Sequence, residues 1–238
     1  MLYLISDIHG HYNKFRTMLR KINFDRKNDH MIVMGDVLDR GPNSYKLIEY
    51  IKNYMEDGSM EILLGNHELF AARYIEGKLE KELYGDYGGK EMITIIEEMK
   101  DSEKEEFRRF IRALPYYKLI KSDFFGDTVV THTGINANFL LANEDGSINV
   151  VKSIESGIKN DEMNSLCGKD LHYMGIGELK KLDKFLIVGH VPTSSLNEDG
   201  SNMFYRRKYF MTIDSGIGYS SDGMLGCYCV DTDDEFYV

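Results

Sequence analysis

Apolar residues along this chain fall into two alternating rhythms. Leu2-Tyr3-Leu4-Ile5, Met31-Ile32-Val33-Met34 and Glu61-Ile62-Leu63-Leu64 are short, nearly unbroken apolar runs, as expected of strands covered on both faces. Between them the spacing changes to threes and fours. Tyr12, Phe15, Leu19 and Ile22 form one helical stripe; Leu47, Ile48, Ile51, Tyr54 and Met55 form a second, with Pro42 near its start. The order strand, helix, strand, helix, strand builds a parallel sheet.

Residues 67–114 then predict helices. Met92, Ile95, Ile96 and Met99 share one stripe, and Phe107, Phe110, Ile111 and Leu114 another, with Gly88-Gly89 between pieces and Pro115 as the stop. Short β runs return at Tyr117–Ile120, Thr128–Thr131, Phe185–Val188, Tyr209–Ile213, Leu225–Val230 and Phe236–Val238. Residues 142–181 are polar and Gly-containing, and predict one or two short helices over the site. No repeat or linker composition interrupts the chain. The expectation is one α/β domain over residues 1–238, with a helical insertion at about 68–114.

Candidate chemistry gathers where these strands stop. The runs lead into Ser6-Asp7-Ile8-His9-Gly10, Gly35-Asp36-Val37-Leu38-Asp39-Arg40-Gly41, Gly65-Asn66-His67-Glu68, His132-Thr133-Gly134, Gly189-His190 and Asp214-Ser215-Gly216. In parallel sheets, ligands bind outside the carboxyl ends of strands. One Asp or His after a strand is an ordinary turn or cap residue; six such clusters at six strand ends are not six unrelated caps. Asp7, His9, Asp36, Asn66, His132 and His190 supply only oxygen and imidazole donors. Such a set suits Mn²⁺, Fe²⁺ or Zn²⁺ rather than a thiolate site. Six donors are too many for one four-coordinate ion and suffice for two that share a carboxylate.

Charge narrows the partners. With 29 basic against 39 acidic residues the net charge is −10, which argues against nucleic acid or an anionic membrane as the main partner. A phosphorylated substrate is compatible if cations in the site supply local positive charge. Cys167, Cys227 and Cys229 form no CxxC pair and read as reduced thiols of a cytoplasmic protein. No apolar run approaches the ~18 residues of a spanning helix.

These motifs, in this order between positions 7 and 190, resemble the calcineurin-like metallophosphoesterases, in particular the Ser/Thr phosphoprotein-phosphatase branch and its bacterial relatives. Gly-Asp-x-x-Asp-Arg-Gly at 35–41 and Gly-Asn-His-Glu at 65–68 are the most specific pieces. The resemblance implies a β-sandwich of two mixed sheets flanked by helices. It implies one metal held by Asp7, His9 and Asp36 and a second held by Asp36, Asn66, His132 and His190, with Mn²⁺ leading and Fe or Zn also fitting. It makes His67 the general acid, Asp39 its orienting partner, Arg40 the phosphate grip, Asn66 and His67 further substrate contacts, and Asp214 an orienter of ligands. The reaction implied is in-line attack on a phosphomonoester by a hydroxide bridging the ions. An imidazolium gives a poor alkoxide leaving group its proton.

Four positions depart from the family: Ser6, Thr133, Leu64 before Gly65, and the lack of any Arg between Arg112 and Arg206. The last removes a second phosphate-binding arginine, for which Lys169 is a substitute. Leu64 resembles bacterial relatives that split dinucleoside tetraphosphates. Asp39, usually missing in those, favours a protein phosphatase acting on phosphorylated protein or a small phosphoester; a diadenosine tetraphosphate hydrolase is the alternative. A catalytically dead scaffold would be expected to lose ligands or the acid, and here all are present. Elsewhere, Glu68 reads as a first-turn carboxylate, His11 as a cap, His30 as surface, Arg108, Arg109 and Arg112 as a solvated helix face, and Arg206-Arg207-Lys208 as a hairpin turn.

Overall fold

The computed structural model describes residues 1–238. Two five-stranded mixed sheets face each other. The first has β1 (Leu2–Ile5), β2 (His30–Val33), β3 (Met60–Ile62), β9 (Gly226–Cys229) and β10 (Glu235–Tyr237) in the order β10-β9-β1-β2-β3. The second has β4 (Tyr117–Ser122), β5 (Gly126–Thr131), β6 (Phe185–Val188), β7 (Tyr205–Arg206) and β8 (Phe210–Thr212) in the order β4-β5-β6-β8-β7. The pairs β1–β2, β2–β3, β5–β6 and β6–β8 are parallel, and β1–β9, β9–β10, β4–β5 and β7–β8 are antiparallel. The expected sandwich of two mixed sheets is the observed architecture.

Strand alternation explains the unbroken apolar runs. Leu4, Ile32, Met34 and Leu63 point between the sheets and meet Val130, Ile187, Met211 and Ile213. Their neighbours Tyr3, Ile5, Met31, Val33 and Ile62 point outward, under α1 (Tyr12–Lys21), α2 (Ser44–Met55) and α3 (Asn66–Ile75). Apart from the partly exposed Leu2, His30 and Glu61, the residues of these three strands are therefore covered. The Cys-Tyr-Cys triplet obeys the same rule: Cys227 and Cys229 share the helix-covered face, and Tyr228 lies between the sheets.

The insertion continues with α4 (Lys81–Tyr84), a wide π-type turn at Gly85–Gly89, α5 (Lys90–Glu98) and α6 (Asp101–Arg112). The 142–181 segment departs from expectation. It holds three helices, α7 (Val150–Cys167), α8 (Asp170–Tyr173) and α9 (Ile176–Leu179). The longest was illegible because its buried positions include Ser153, Gly157 and Ser165, and because Asp161 leaves helical geometry at φ −153° and shifts the register. Two charge readings are also corrected. Arg112 is not a solvated face: it donates to Glu76 at 2.9 Å through both Nε and Nη2, and to Glu162 on α7 at 3.0 Å. Arg206 is a strand residue paired with Asp233 at 2.8 Å and Glu235 at 2.6 Å, not a turn cation.

The Arg112 hydrogen bonds hold the Glu76 carboxyl down to about 2. The folded pKa lies below the unfolded one, so the unfolded chain binds more protons in this interval. The contribution is present above the ordinary value near 4.5 and is lost as pH falls toward 2. Arg112→Lys, which cannot fork between two carboxylates, is expected to lower the unfolding free energy by about 1–2 kcal/mol at neutral pH and to flatten the acid-side loss. Urea titrations at neutral pH and below pH 4.5 check both; an unchanged midpoint would dismiss the link.

Candidate active site

The carboxyl ends of β1, β2, β3, β5, β6 and β8 lie on one edge, and the loops leaving them interlock. Asp7 N donates to Gly35 O at 3.2 Å, His9 N to Asp36 O at 2.9 Å, and Gly189 N to His132 O at 2.8 Å. The chain takes uncommon backbone conformations to do this. Eight non-glycine residues have positive φ, and six of them are Asp7, His9, Asp36, Asp39, Arg40 and His190, at 45–68°. Left-handed backbone costs an L-residue about 1–2 kcal/mol, and such strain clusters at functional sites. Gly65 is required by close approach, since a Cβ there would lie 2.7 Å from Glu68 Oε2 and closer still to Asp36.

Asp36 is the centre. Its Oδ1 lies 3.3 Å from His132 Nε2, and its Oδ2 lies 3.7 Å from His9 Nε2 and 3.8 Å from His67 Nε2. Two groups of donor atoms able to hold an ion result: His9, Asp36 and His67, and Asp36, His132 and His190. They share Asp36, as two ions with one bridging carboxylate require. Asn66 Oδ1 contacts His132 Nε2 at 2.9 Å and so faces the second group. Asp7 stands slightly apart. Its Oδ2 accepts from Ser6 Oγ at 2.5 Å and from His190 N at 2.9 Å, so both hydrogen bonds fall on one oxygen. The first group thus contains His67 where the sequence suggested Asp7.

The imidazoles are oriented from behind. His9 Nδ1 meets Leu38 O, and His132 Nδ1 meets Met34 O, each at 2.9 Å, which turns each Nε2 toward Asp36. Burial alone would discharge all these rings. It pushes His190 down to about 3, with the neighbouring His132 adding to the effect, and holds His9 well below its usual value. At His132 burial is outweighed by the Asp36 carboxylate, which raises the ring to about 10. The same imidazoles hold Asp36 well below the usual carboxylate range despite its burial. Such a carboxylate stays ionised and able to bind a cation.

His67, Asp39 and Arg40 are also together. His67 Nδ1 meets Asp39 Oδ2 at 2.8 Å, and Arg40 Nη2 lies 3.1 Å from His67 Nε2. Asp36 and Asp39 raise the His67 pKa against its burial. Asp214 lies behind Asp7, its Oδ1 accepting from Gly216 N at 2.9 Å; burial, then the Asp7 charge, keep its carboxyl well above the usual range. A cavity of about 590 Å³ opens over this edge, lined by Arg40, Asn66, His67 and His190 and, from the 142–181 segment, by Cys167 and Lys169. Lys169 therefore lines the same cavity as Arg40. His172 does not: its Nε2 meets Thr212 Oγ1 at 2.9 Å, away from this cavity.

Three supports of the site lie outside the sequence expectations. Glu68 is not merely a first-turn carboxylate. Fully buried, it accepts from the backbone N–H groups of Asp36 (2.8 Å), Val37 (2.8 Å), Leu38 (3.1 Å) and Gly65 (3.1 Å). Tyr84 Oη donates to Asp39 Oδ1 at 3.0 Å, and Arg40 N donates to Gly88 O at 3.0 Å. The insertion thus reaches into the site from outside. Glu68 could have been read from the helix N-terminal pattern; Tyr84 and Gly88 make contacts that no local pattern encodes.

Comparison with known proteins agrees with this geometry. A family model described as calcineurin-like phosphoesterase matches residues 2–215. An asymmetrical bis(5'-nucleosyl)-tetraphosphatase of Bacillus subtilis is 30% identical over 144 residues, 57% of this chain and 58% of that protein. A symmetrical bis(5'-nucleosyl)-tetraphosphatase of Buchnera aphidicola is 27% identical over 186 residues, 77% of this chain and 62% of its own length. The chain therefore spans less than two thirds of either relative. Among solved structures, a protein serine/threonine phosphatase from Saccharomyces cerevisiae superposes with a TM-score of 0.62 at 16% identity, over 100% of this chain and 78% of that one. At that identity the likeness is one of fold.

Glu68→Gln is the sharpest test of the scaffold. An amide keeps one acceptor oxygen and turns an N–H toward donors, stranding two of the four backbone groups. The expected loss is about 2–4 kcal/mol of unfolding free energy, given ~1–3 kcal/mol for each unsatisfied buried group, measured by urea denaturation. A loss below about 0.5 kcal/mol, the range of a neutral surface change, would remove Glu68 from this role.

Proposed function

The chain belongs to the calcineurin-like phosphoesterase family, and from that membership we propose that it is a dinuclear metal-dependent hydrolase of dinucleoside tetraphosphates. The observation that carries the metal reading is the pair of donor groups sharing Asp36. Their atoms are carboxylate and imidazole, with the Asn66 amide beside the second group and no thiolate among them, and they fit divalent ions such as Mn²⁺. His9, Asp36 and Asp7 would hold one ion, and Asp36, Asn66, His132 and His190 the other. Two bound cations would cancel phosphate charge and acidify a water molecule for attack on phosphorus.

The substrate reading rests on the relatives, whose names are those of bis(5'-nucleosyl)-tetraphosphatases, and on a pocket lined by two cationic side chains. Arg40 and Lys169 line the same cavity, which suits a chain of phosphates better than a single one. Lys169 supplies as a point charge what a second arginine would supply as a fork. This reading replaces the protein phosphatase favoured by Asp39 alone, for which the fold likeness at 16% identity gives no substrate support.

The Asp39–His67–Arg40 contacts supply the proton chemistry. With Nδ1–H given to Asp39, the neutral His67 ring offers Nε2 as an acceptor to Arg40 Nη2. Protonation at Nε2 ends that bond and turns two like charges against each other. Arg40 is then released toward phosphate oxygens while Nε2–H faces the leaving oxygen. A nucleotide leaving group departs as a phosphate anion and asks little of this acid, whereas a seryl alkoxide needs it.

Two experiments test the proposal. Rates on diadenosine tetraphosphate, a phosphoserine peptide and a phosphotyrosine peptide are compared at one Mn²⁺ concentration, with His67→Asn alongside wild type. The dinucleotide is expected to be preferred, and His67→Asn to slow peptide hydrolysis by about 10²–10⁴-fold but the dinucleotide far less. A peptide preferred more than tenfold would return the site to protein phosphatase chemistry. Separately, Asp36→Asn is expected to abolish turnover and to reduce Mn²⁺ binding from two ions, counted by equilibrium dialysis. Two ions still bound at wild-type affinity would show that Asp36 is not the bridge.

A further inference from the structure

Phosphate hydrolysis leaves one wall of the cavity unexplained. Phe70, on α3 one turn beyond His67, sets its ring edge-on to that imidazole at 5.3 Å. It also stacks on Tyr87 at 4.7 Å with only 24° between the planes. Phe70 is buried, but Tyr87 is 41% exposed. One face of the tyrosine is covered by Phe70, and the exposed remainder lines the cavity that Arg40 and Lys169 also line. Tyr87 sits in the π-type turn Gly85–Gly89, with Gly88 at φ +100°; such turns recur at functional sites. The same turn grips Arg40. Arg40 N donates to Gly88 O at 3.0 Å, and a Cβ on Gly88 would come within 2.8 Å of Arg40 Cγ. The arginine is therefore tied to the turn that carries the aromatic ring.

We propose that the open face of Tyr87, backed by Phe70, is the platform on which a nucleobase of the substrate stacks. The inference rests on the dinucleoside polyphosphate reading of the site and adds where the base lies. Stacking needs only a flat π-face and tolerates any base. The order of rings selects the ligand. His67, Phe70 and Tyr87 follow one another, so the open face is two ring layers from the acid. A phosphotyrosyl ring is bonded to an oxygen of the reacting phosphate and belongs beside His67. A base is held away by its ribose and the intervening phosphates, and reaches the outer face. Asp86 lines the wall next to Tyr87. Its carboxylate offers an acceptor to an exocyclic amine and repels phosphate toward Arg40 and Lys169.

The test compares ADP with pyrophosphate by titration calorimetry on the Mn²⁺-loaded protein, in wild type, Tyr87→Ala and Tyr87→Phe. Thermal melts first establish that each variant is folded. Wild type is expected to prefer ADP. Tyr87→Ala is expected to cut that preference roughly tenfold, the scale of one lost stacked base, while Tyr87→Phe keeps the ring and the preference. An equal preference in all three proteins, or its loss in Tyr87→Phe as well, overturns the platform. Diadenosine tetraphosphate turnover on the same preparations separates the two readings. Base preference without turnover leaves the platform standing and defeats the hydrolase assignment, whereas turnover without base preference does the reverse. A phosphotyrosine peptide whose KM rises in Tyr87→Ala as steeply as the ADP preference falls would assign the face to an aryl phosphate and overturn the nucleobase.

Discussion

A carboxylate in a dry interior must be matched by positive charge or it will take up a proton. Asp36 is such a group, almost wholly buried, with the rings of His9, His67 and His132 within 3.3–3.8 Å of its two oxygens. That one need organises the rest of the edge. Three imidazoles have to arrive from three different strand ends, and each must present Nε2 rather than Nδ1. Main-chain carbonyls of Leu38 and Met34 provide that orientation for His9 and His132, and Asp39 provides it for His67. A divalent cation answers the same need, because it brings a permanent charge to the place where the carboxylate requires one.

The backbone bears the cost of this arrangement. Six site residues adopt left-handed conformations that their side chains disfavour. They are kept there by bonds that have no other evident purpose. Glu68 is the clearest of these. A second buried carboxylate, pushed up to about 7 by burial and then by the nearby Asp36 charge, is held beneath the site because it ties four backbone amides from two loops. The chain thus accepts one electrostatically awkward group in order to position another.

Much of this was legible beforehand, for identifiable reasons. The strands could be read because both of their faces are covered and every residue is apolar, as in Leu2–Ile5. The site could be read because chemistry-bearing residues follow those strands within a few positions, so finding the strand finds the site. Legibility failed where packing is made by small or polar residues. α7 buries Ser153, Gly157 and Ser165, which carry no hydrophobic period. It failed again where a contact joins distant segments. Arg112 resembles a surface cation until Glu76 and Glu162 are brought to it, and nothing near Tyr84 in the chain announces Asp39. Asp7 is a further case: its bonds to Ser6 Oγ and to the distant His190 N both fall on one carboxylate oxygen, a detail that the order of motifs does not encode.

The segment between α3 and α6 touches the catalytic edge at two points, the Tyr84 hydroxyl on Asp39 and the Gly88 carbonyl on Arg40. A loop that merely framed the entrance could be exchanged freely for another. This one cannot, because its removal would strip Asp39 and Arg40 of these two bonds. One stretch of chain both lines the cavity mouth, through Asp86 and Tyr87, and braces Asp39 and Arg40 beneath it, so a change that reshapes the mouth will also shift those two residues.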